Sequence, residues 1–269
     1  MDRREAVLRE LNLYPLWGLR DQPAQVAASP SPAHVDADTE PAMPVAAEVK
    51  ALAATAVNAP MPLSDSRSIA GVRGALGNLG WPELKQQVRN CTDCRLRAGC
   101  TQTVFGVGDE KADWLFVGEG PGADEDALGE PFVGQAGKLL DNMLTAIKLK
   151  RGNGVYIANI VKCRPPDNRT PATDEIAQCL PYLQRQIELI QPKMIVALGK
   201  VASNALLGRD ATLASLRGKL HDYRGIPLVV TYHPAYLLRT PSEKAKAWQD
   251  LCFAVKAMED KTSARPAVR

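Results

Sequence analysis

Residues 114–122 read WLFVGEGPG, a short apolar run that ends in a glycine-rich loop carrying a single carboxylate, Glu119. A run this short, without polar alternation and closed by glycine, marks a strand covered on both faces. Three more runs of the same kind follow: Val155–Ile160 (VYIANI), Met194–Gly199 (MIVALG) and Ile226–Tyr232 (IPLVVTY). Helical periodicity occupies Lys138–Lys150, Asp174–Ile190 and Lys200–Leu207 between them, and a last helix is expected over Ser242–Glu259. Apolar strands separated by helices predict an α/β domain of three α/β/α layers around a central four-stranded parallel sheet. Ahead of the first strand, ELKQQVRN (83–90) reads as a helix running into Cys91, and the polar stretch Leu216–Arg224 reads as a hairpin or lid.

The front of the chain is of another kind. The 269 residues are 45% hydrophobic and 23% charged overall, but residues 21–60 hold 13 Ala and 6 Pro, and no aromatic residue lies between Trp17 and Trp81. Such a segment buries too little apolar area to offset its chain entropy. The expected organisation is therefore a short amphipathic helix over 1–20, suited to an unidentified protein partner, then a disordered Ala/Pro-rich linker over 21–80. A packed domain over 81–260 and a tail over 261–269 complete it. No run of 18 apolar residues exists to span a membrane, and MDRREAVLRE is not a secretory signal. Both readings point to the cytoplasm. Residues 1–80 carry 7 Lys/Arg against 9 Asp/Glu and the remainder 26 against 21, a mildly basic balance that suits a polyanion without requiring one.

In an open α/β sheet, ligands bind beyond the carboxyl ends of the strands. The tips expected here present Gly118-Glu119-Gly120, then Asn159, then Gly199-Lys200, then His233. Dinucleotide binding is rejected, because Pro121 breaks the glycine spacing and Asp124, Glu125 and Asp126 would repel a pyrophosphate. Asn159 and His233 each have a plain structural alternative, a satisfied amide and a turn cap. Glu119 between two glycines is harder to explain structurally. Phe132, in GEPFVGQAG (129–137), reads either as a core anchor or as a stacking platform.

Six cysteines complete the inventory. Cys91-x2-Cys94 has the spacing of a metal-gripping pair, and Cys163 and Cys179 supply a second pair. Zinc and a 4Fe–4S cluster both accept four thiolates, and spacing does not separate them. Cys100 is a candidate substitute ligand, and Cys252 is expected as a buried core thiol. A redox-active Cys-x-x-Cys is discounted, since no thioredoxin-like strand precedes the pair.

Taken in order, Cys91-x2-Cys94, GEGPG (118–122), GEPFVGQAG (129–137), NIVKCRPP (159–166), Cys179, LGKVA (198–202) and HPAYLLR (233–239) resemble the family-4, iron–sulfur branch of the uracil-DNA glycosylase superfamily. The likeness covers about Trp81 to Asp260 and leaves residues 1–80 aside. It implies a 4Fe–4S cluster on Cys91, Cys94, Cys163 and Cys179, and a uracil pocket of Gly118, Gly120, Phe132, Asn159 and His233. Glu119 and His233 are the implied catalytic groups. The partner is uracil-containing DNA, contacted by Arg164, Arg169, Lys200 and Arg239, with Leu237, Leu238 or Arg239 filling the space of the flipped base; Leu237 and Leu238 read equally well as ordinary core packing. Related families often carry Asp at the position of Gly120. A sister branch captures DNA covalently through a histidine in an inserted loop, but IVKCRPPDNRTPAT, after Asn159, is short and has no His. The expectation is a monomeric, monofunctional glycosylase that hydrolyses the N-glycosidic bond and leaves an abasic site. The competing expectation is a metal-stabilised DNA-binding module without catalysis.

Overall fold

A computed structural model describes residues 76–263. The amphipathic helix expected over 1–20 and the linker up to residue 75 lie outside the described residues, as do residues 264–269. The described residues start slightly ahead of Trp81: Leu76 is buried, and the Leu79 carbonyl accepts two hydrogen bonds from the Arg185 guanidinium, at 2.9 and 2.8 Å. Helix α1 (Trp81–Arg89) then starts with Pro82 and Glu83 in its first turn, where a missing N–H and a negative charge are both favourable.

The chain continues through α2 (Leu96–Gly99), β1 (Val107–Gly108), β2 (Trp114–Gly118), α3 (Ala123–Leu128), α4 (Gln135–Ala146) and β3 (Val155–Asn159). It then runs through α5 (Thr173–Ile190), β4 (Met194–Leu198), α6 (Lys200–Leu207) and α7 (Leu213–Leu216). The last elements are β5 (Leu220–Tyr223), β6 (Ile226–Thr231), α8 (Pro234–Arg239) and α9 (Lys244–Ser263). The sheet order is β1-β3-β2-β4-β6-β5, with β3, β2, β4 and β6 parallel. Those four are the expected core. The sheet nevertheless has six strands rather than four, because β1 and β5 add antiparallel edges. Neither edge has a buried apolar run: β1 is two residues long and β5, LHDY, is largely solvated. β5 and β6 form the hairpin expected around Leu216–Arg224.

Alternate residues of the parallel strands enter two separate cores, as the pleat requires. Leu115, Val117, Tyr156, Ala158, Ile195 and Ala197 pack with Leu84 and Val88 of α1 and Tyr182, Leu183 and Ile187 of α5. Trp114, Phe116, Val155, Ile157, Met194 and Val196 pack with Leu139, Leu140 and Met143 of α4 and Leu251, Ala254 and Met258 of α9. This is the three-layer arrangement. Among the described residues no helix is long and apolar enough to cross a membrane.

Candidate active site

The register of β2 against β3 places Gly118 directly beside Asn159, so two strand tips meet by pairing alone. Asn159 is only 2% exposed, yet its Oδ1 has no hydrogen-bond partner among the described residues. A buried acceptor left unpaired costs roughly 1–3 kcal/mol and points to an absent ligand. Glycine at 118 makes the closeness feasible. A Cβ there would collide with Asn159 Oδ1 and come within 2.6 Å of the Phe132 ring.

Phe132 sits against this amide in a left-handed conformation, φ 56°, that a bulky residue adopts only when its surroundings enforce it. Arg151 supplies part of that enforcement, donating to the carbonyls of Pro131 (2.9 Å) and Phe132 (2.7 Å) while paired with Asp141 at 2.9 Å. Gly137 supplies more, since a Cβ at that position would strike the Phe132 carbonyl. Glu125 closes the frame by accepting from the backbone N–H groups of Gly122, Val133 and Gly134 at 3.0, 3.0 and 3.2 Å. It thereby fastens the glycine-rich loop to the Phe132 loop. The acidic run thus has structural work: Asp126 likewise accepts from the N–H groups of Thr101 and Gln102.

His233 caps α8, and its Nδ1 accepts the Ala235 N–H at 3.2 Å. A backbone N–H only donates, so the neutral ring carries its proton on Nε2. Burial, assisted by the nearby Arg239 charge, pushes the His233 pKa down to about 4, so the ring is neutral at physiological pH. Its ring lies 5.5 Å from that of Phe132, tilted by 31°. Glu119 lines the same groove; burial raises its pKa, partly opposed by a hydrogen bond from Thr170. Glu119, Gly120, Phe132, Asn159 and His233 therefore converge, as expected of strand-tip residues.

The basic residues divide. Arg169, Lys200 and Arg239 line the groove, whereas Arg164 does not; its Nε donates to Asn168 at 2.8 Å. Lys200 is exposed and pairs with Asp210 at 3.1 Å. Arg169 forks onto the carboxylate of Glu175 at 2.8 and 2.7 Å. Of the two readings of Leu237, duplex entry and core packing, the second holds: it is 1% exposed and belongs to the core shared with α4 and α9. The helical turn of α8 points it inward and leaves Tyr236 and Leu238 exposed.

A second, small cavity, of about 10 Å³, is lined by Cys91, Cys94, Cys163 and Cys179. Burial raises the pKa of all four thiols, Cys179 to about 12. Four thiols form a donor set for soft, sulfur-loving metal centres; Asp93 also lines the cavity, where it accepts from the Tyr182 hydroxyl at 2.9 Å. Zinc and an iron–sulfur cluster both accept four thiolates. Cys100 hydrogen-bonds to Cys163 from outside this cavity. Cys252 is exposed on α9 rather than buried in the core, because its position faces away from the sheet.

Two buried charges brace the cavity, and the sequence reading singled out neither. Glu175 is fully buried, binds Arg95, Arg169 and the Ala172 N–H, and is held at a pKa of about 2 chiefly by Arg169. It ties the Cys94 loop and the loop after Cys163 to the start of α5, the helix that bears Cys179. Lys162, 1% exposed, donates to the Asn159 carbonyl at 3.0 Å and to Gln186 at 2.6 Å, while its backbone N–H donates to Cys179 Sγ at 3.2 Å.

The sheet order, the polar strand tips around an orphaned amide and the thiol-lined cavity define an α/β protein with a ligand groove at its strand tips. The uracil DNA glycosylase superfamily model matches residues 105–252. The chain is 42% identical over 179 residues to the type-4 uracil-DNA glycosylase of Pyrobaculum aerophilum, an alignment covering 64% of this chain and 91% of that one. It is 44% identical over 165 residues to the type-4 enzyme of Thermotoga maritima, covering 61% and 85%. A type-5 uracil-DNA glycosylase of Pyrobaculum aerophilum is more distant, 32% identical over 148 residues and covering 48% and 64%. The chain belongs to the uracil-DNA glycosylase superfamily, in its type-4 branch.

Proposed function

We propose that this chain excises uracil from DNA as a monofunctional glycosylase, leaving an abasic site. The observation that carries the reading is the orphaned Oδ1 of Asn159, set beside the Phe132 ring and the Nε2–H of His233. A base drawn out of the stack loses its neighbours, and Phe132 offers a replacement face. The Asn159 amide accepts from uracil N3–H through Oδ1 and donates to O4 through its NH2. Cytosine presents the opposite pattern and would leave the buried amide unpaired, at roughly 1–3 kcal/mol per group.

As the bond between the sugar C1′ and uracil N1 breaks, its electron pair leaves with the base and negative charge gathers at O2. The neutral His233 donates Nε2–H to that oxygen, and backbone N–H groups of the glycine-rich loop add to the stabilisation. Positive charge remains on the sugar. Glu119, at the neighbouring strand tip, holds the water that adds to C1′ and takes its proton. A carboxylate with a raised pKa is the better base for that step. No lysine nucleophile is involved. Lys200, Arg169 and Arg239 lie along the groove where DNA phosphates would run. The same proposal has the protein act as a monomer in the cytoplasm.

Cys91, Cys94, Cys163 and Cys179 would hold a 4Fe–4S cluster, which when bound supplies a covalent cross-link among the three segments bearing those thiolates. Uracil chemistry itself rests on the strand-tip residues.

The test is uracil release from uracil-containing DNA, followed by alkaline strand cleavage. His233→Ala should lower turnover by about 10²–10³-fold, the usual effect of removing one donor to developing charge, with iron content unchanged. Wild-type protein with its full iron content that binds DNA in a salt-sensitive way but releases no uracil would establish the non-catalytic module instead.

A further inference from the structure

Large side chains exposed in the described fold are few: Leu128, Leu220, Leu238 and one aromatic, Tyr236, at 39%. Tyr236 is not loosely placed. Its ring stacks on that of Tyr232 with centroids 5.4 Å apart and planes within 8°. Tyr232 is in turn fixed from several directions. The Arg217 guanidinium lies over its ring at 4.4 Å, and its hydroxyl donates to Glu243 at 2.5 Å. Arg217 is held by both oxygens of Asp250, at 2.6 and 3.0 Å, and by the Lys246 carbonyl. Glu243 is held by Lys246 at 2.8 Å. A rigid, charge-braced ring thus supports a solvent-facing one.

Position gives this stack its meaning. Tyr232 immediately precedes His233, and both tyrosines line the same groove as Phe132, Asn159 and His233. Lys200 and Arg239 border that groove too. Aromatic faces beside cations in an open channel are how proteins hold unpaired bases without reading them, since every base has a π face. Core packing does not account for the arrangement, because the ring left exposed is the one at the end of the stack.

We propose that Tyr236, backed by Tyr232 and Arg217, is a stacking ledge for the nucleobase that flanks the extruded uracil. The inference rests on the uracil reading and adds a second base subsite to it. Extruding one nucleotide deprives its neighbour of a stacking partner, and the ledge supplies one. Recognition there is through the π face and so is indifferent to base identity.

The test uses single-stranded oligonucleotides in which 2′-fluoro-deoxyuridine, which resists cleavage, is flanked on one side or the other by fluorescent 2-aminopurine. Wild-type protein should quench the 2-aminopurine at one flank. Tyr236→Ala should abolish that quenching and weaken binding about tenfold or more. Tyr236→Phe, which keeps the ring, should retain both properties, and matching melting temperatures confirm that all three proteins are folded. Equal binding and equal fluorescence for wild type and Tyr236→Ala at both flanks would overturn the ledge. Wild-type protein that releases uracil from ordinary substrate yet shows no such quenching isolates the failure to the ledge. Absence of uracil release would bring down the ledge and the underlying reading together.

Discussion

The groove at the strand tips and the thiol cavity behind it are prepared for their ligands in opposite ways. The groove is finished in advance: Phe132 is locked by Arg151 and Gly137, His233 has its proton fixed on Nε2, and one amide oxygen waits unpaired. Holding these groups in place before substrate arrives is what makes them effective on developing charge. The cavity is electrostatically incomplete. Four thiols, two of them buried, are pushed toward the protonated form, and Lys162 places an ammonium in the interior against two neutral oxygens. Among the described residues no carboxylate pairs with it. A group bound to thiolates would resolve both features at once, by taking up the sulfur lone pairs and supplying negative charge near Lys162. Changes in the groove should therefore register as activity, and changes in the cavity as stability.

The strongest challenge to that division comes from the cavity. Cys163→Ala should lose the bound iron, expected at about four atoms per chain when the 4Fe–4S group is present. Its melting temperature should fall by about 10 °C, equivalent to roughly 3–5 kcal/mol for a domain of this size. Cys100→Ala, which removes the thiol lying outside the ring, should keep its iron. Iron analysis and thermal melts decide the matter: iron retained in Cys163→Ala, with Cys100 as the substitute, would redraw the ligand set.

Asn159→Ala makes the complementary test. Uracil release should fall by about 10²–10³-fold, on the scale of removing one preorganised polar group. Stability should stay within about 1 kcal/mol, because the atom removed has no partner to lose in the free protein. A large fall in melting temperature, or loss of iron, would show that the two sites are not separable. Arg151→Met reaches the groove indirectly, by freeing the Phe132 backbone from its clamp. It should cost about 2 kcal/mol of stability, and about tenfold in kcat/KM as the ring samples other orientations.

How far each region could be read beforehand follows the same division. The parallel core was legible because buried strands are written as continuous apolar runs, and the strand-tip residues were legible because topology dictates where tips lie. The edges were not: β1 is only two residues, one of them a glycine, and β5 is polar. Leu237 stayed open between core packing and duplex insertion because the helical turn that rotates it inward and Tyr236 outward is invisible in HPAYLLR. Arg151 holds carbonyls remote in sequence, and composition carries no signal for such bonds. Glu125 and Glu175 left a trace, each standing three residues after a helix N-cap, Gly122 and Ala172, in capping-box spacing.

The smallest effect probes the preparation of His233 itself. In the folded protein the ring resists protonation until about pH 4, whereas in the unfolded chain it accepts a proton near pH 6.5. As pH drops below 6.5 the unfolded state gains protons that the folded state does not bind, so this residue's contribution to stability declines. From pH 6.5 to 5.5 the decline is about 1 kcal/mol, or about 2–4 °C in melting temperature. The variant His233→Asn has no titrating ring and escapes it. Wild type should thus lose 2–4 °C relative to His233→Asn over that one unit, irrespective of which protein is more stable at pH 7. Over the same interval the neutral ring persists in the folded enzyme, so titration of His233 leaves uracil release level. A constant gap in melting temperature would mean that the ring is solvated and takes up its proton normally. It would then be a cation in acid, and the neutral donor at O2 would no longer describe the groove.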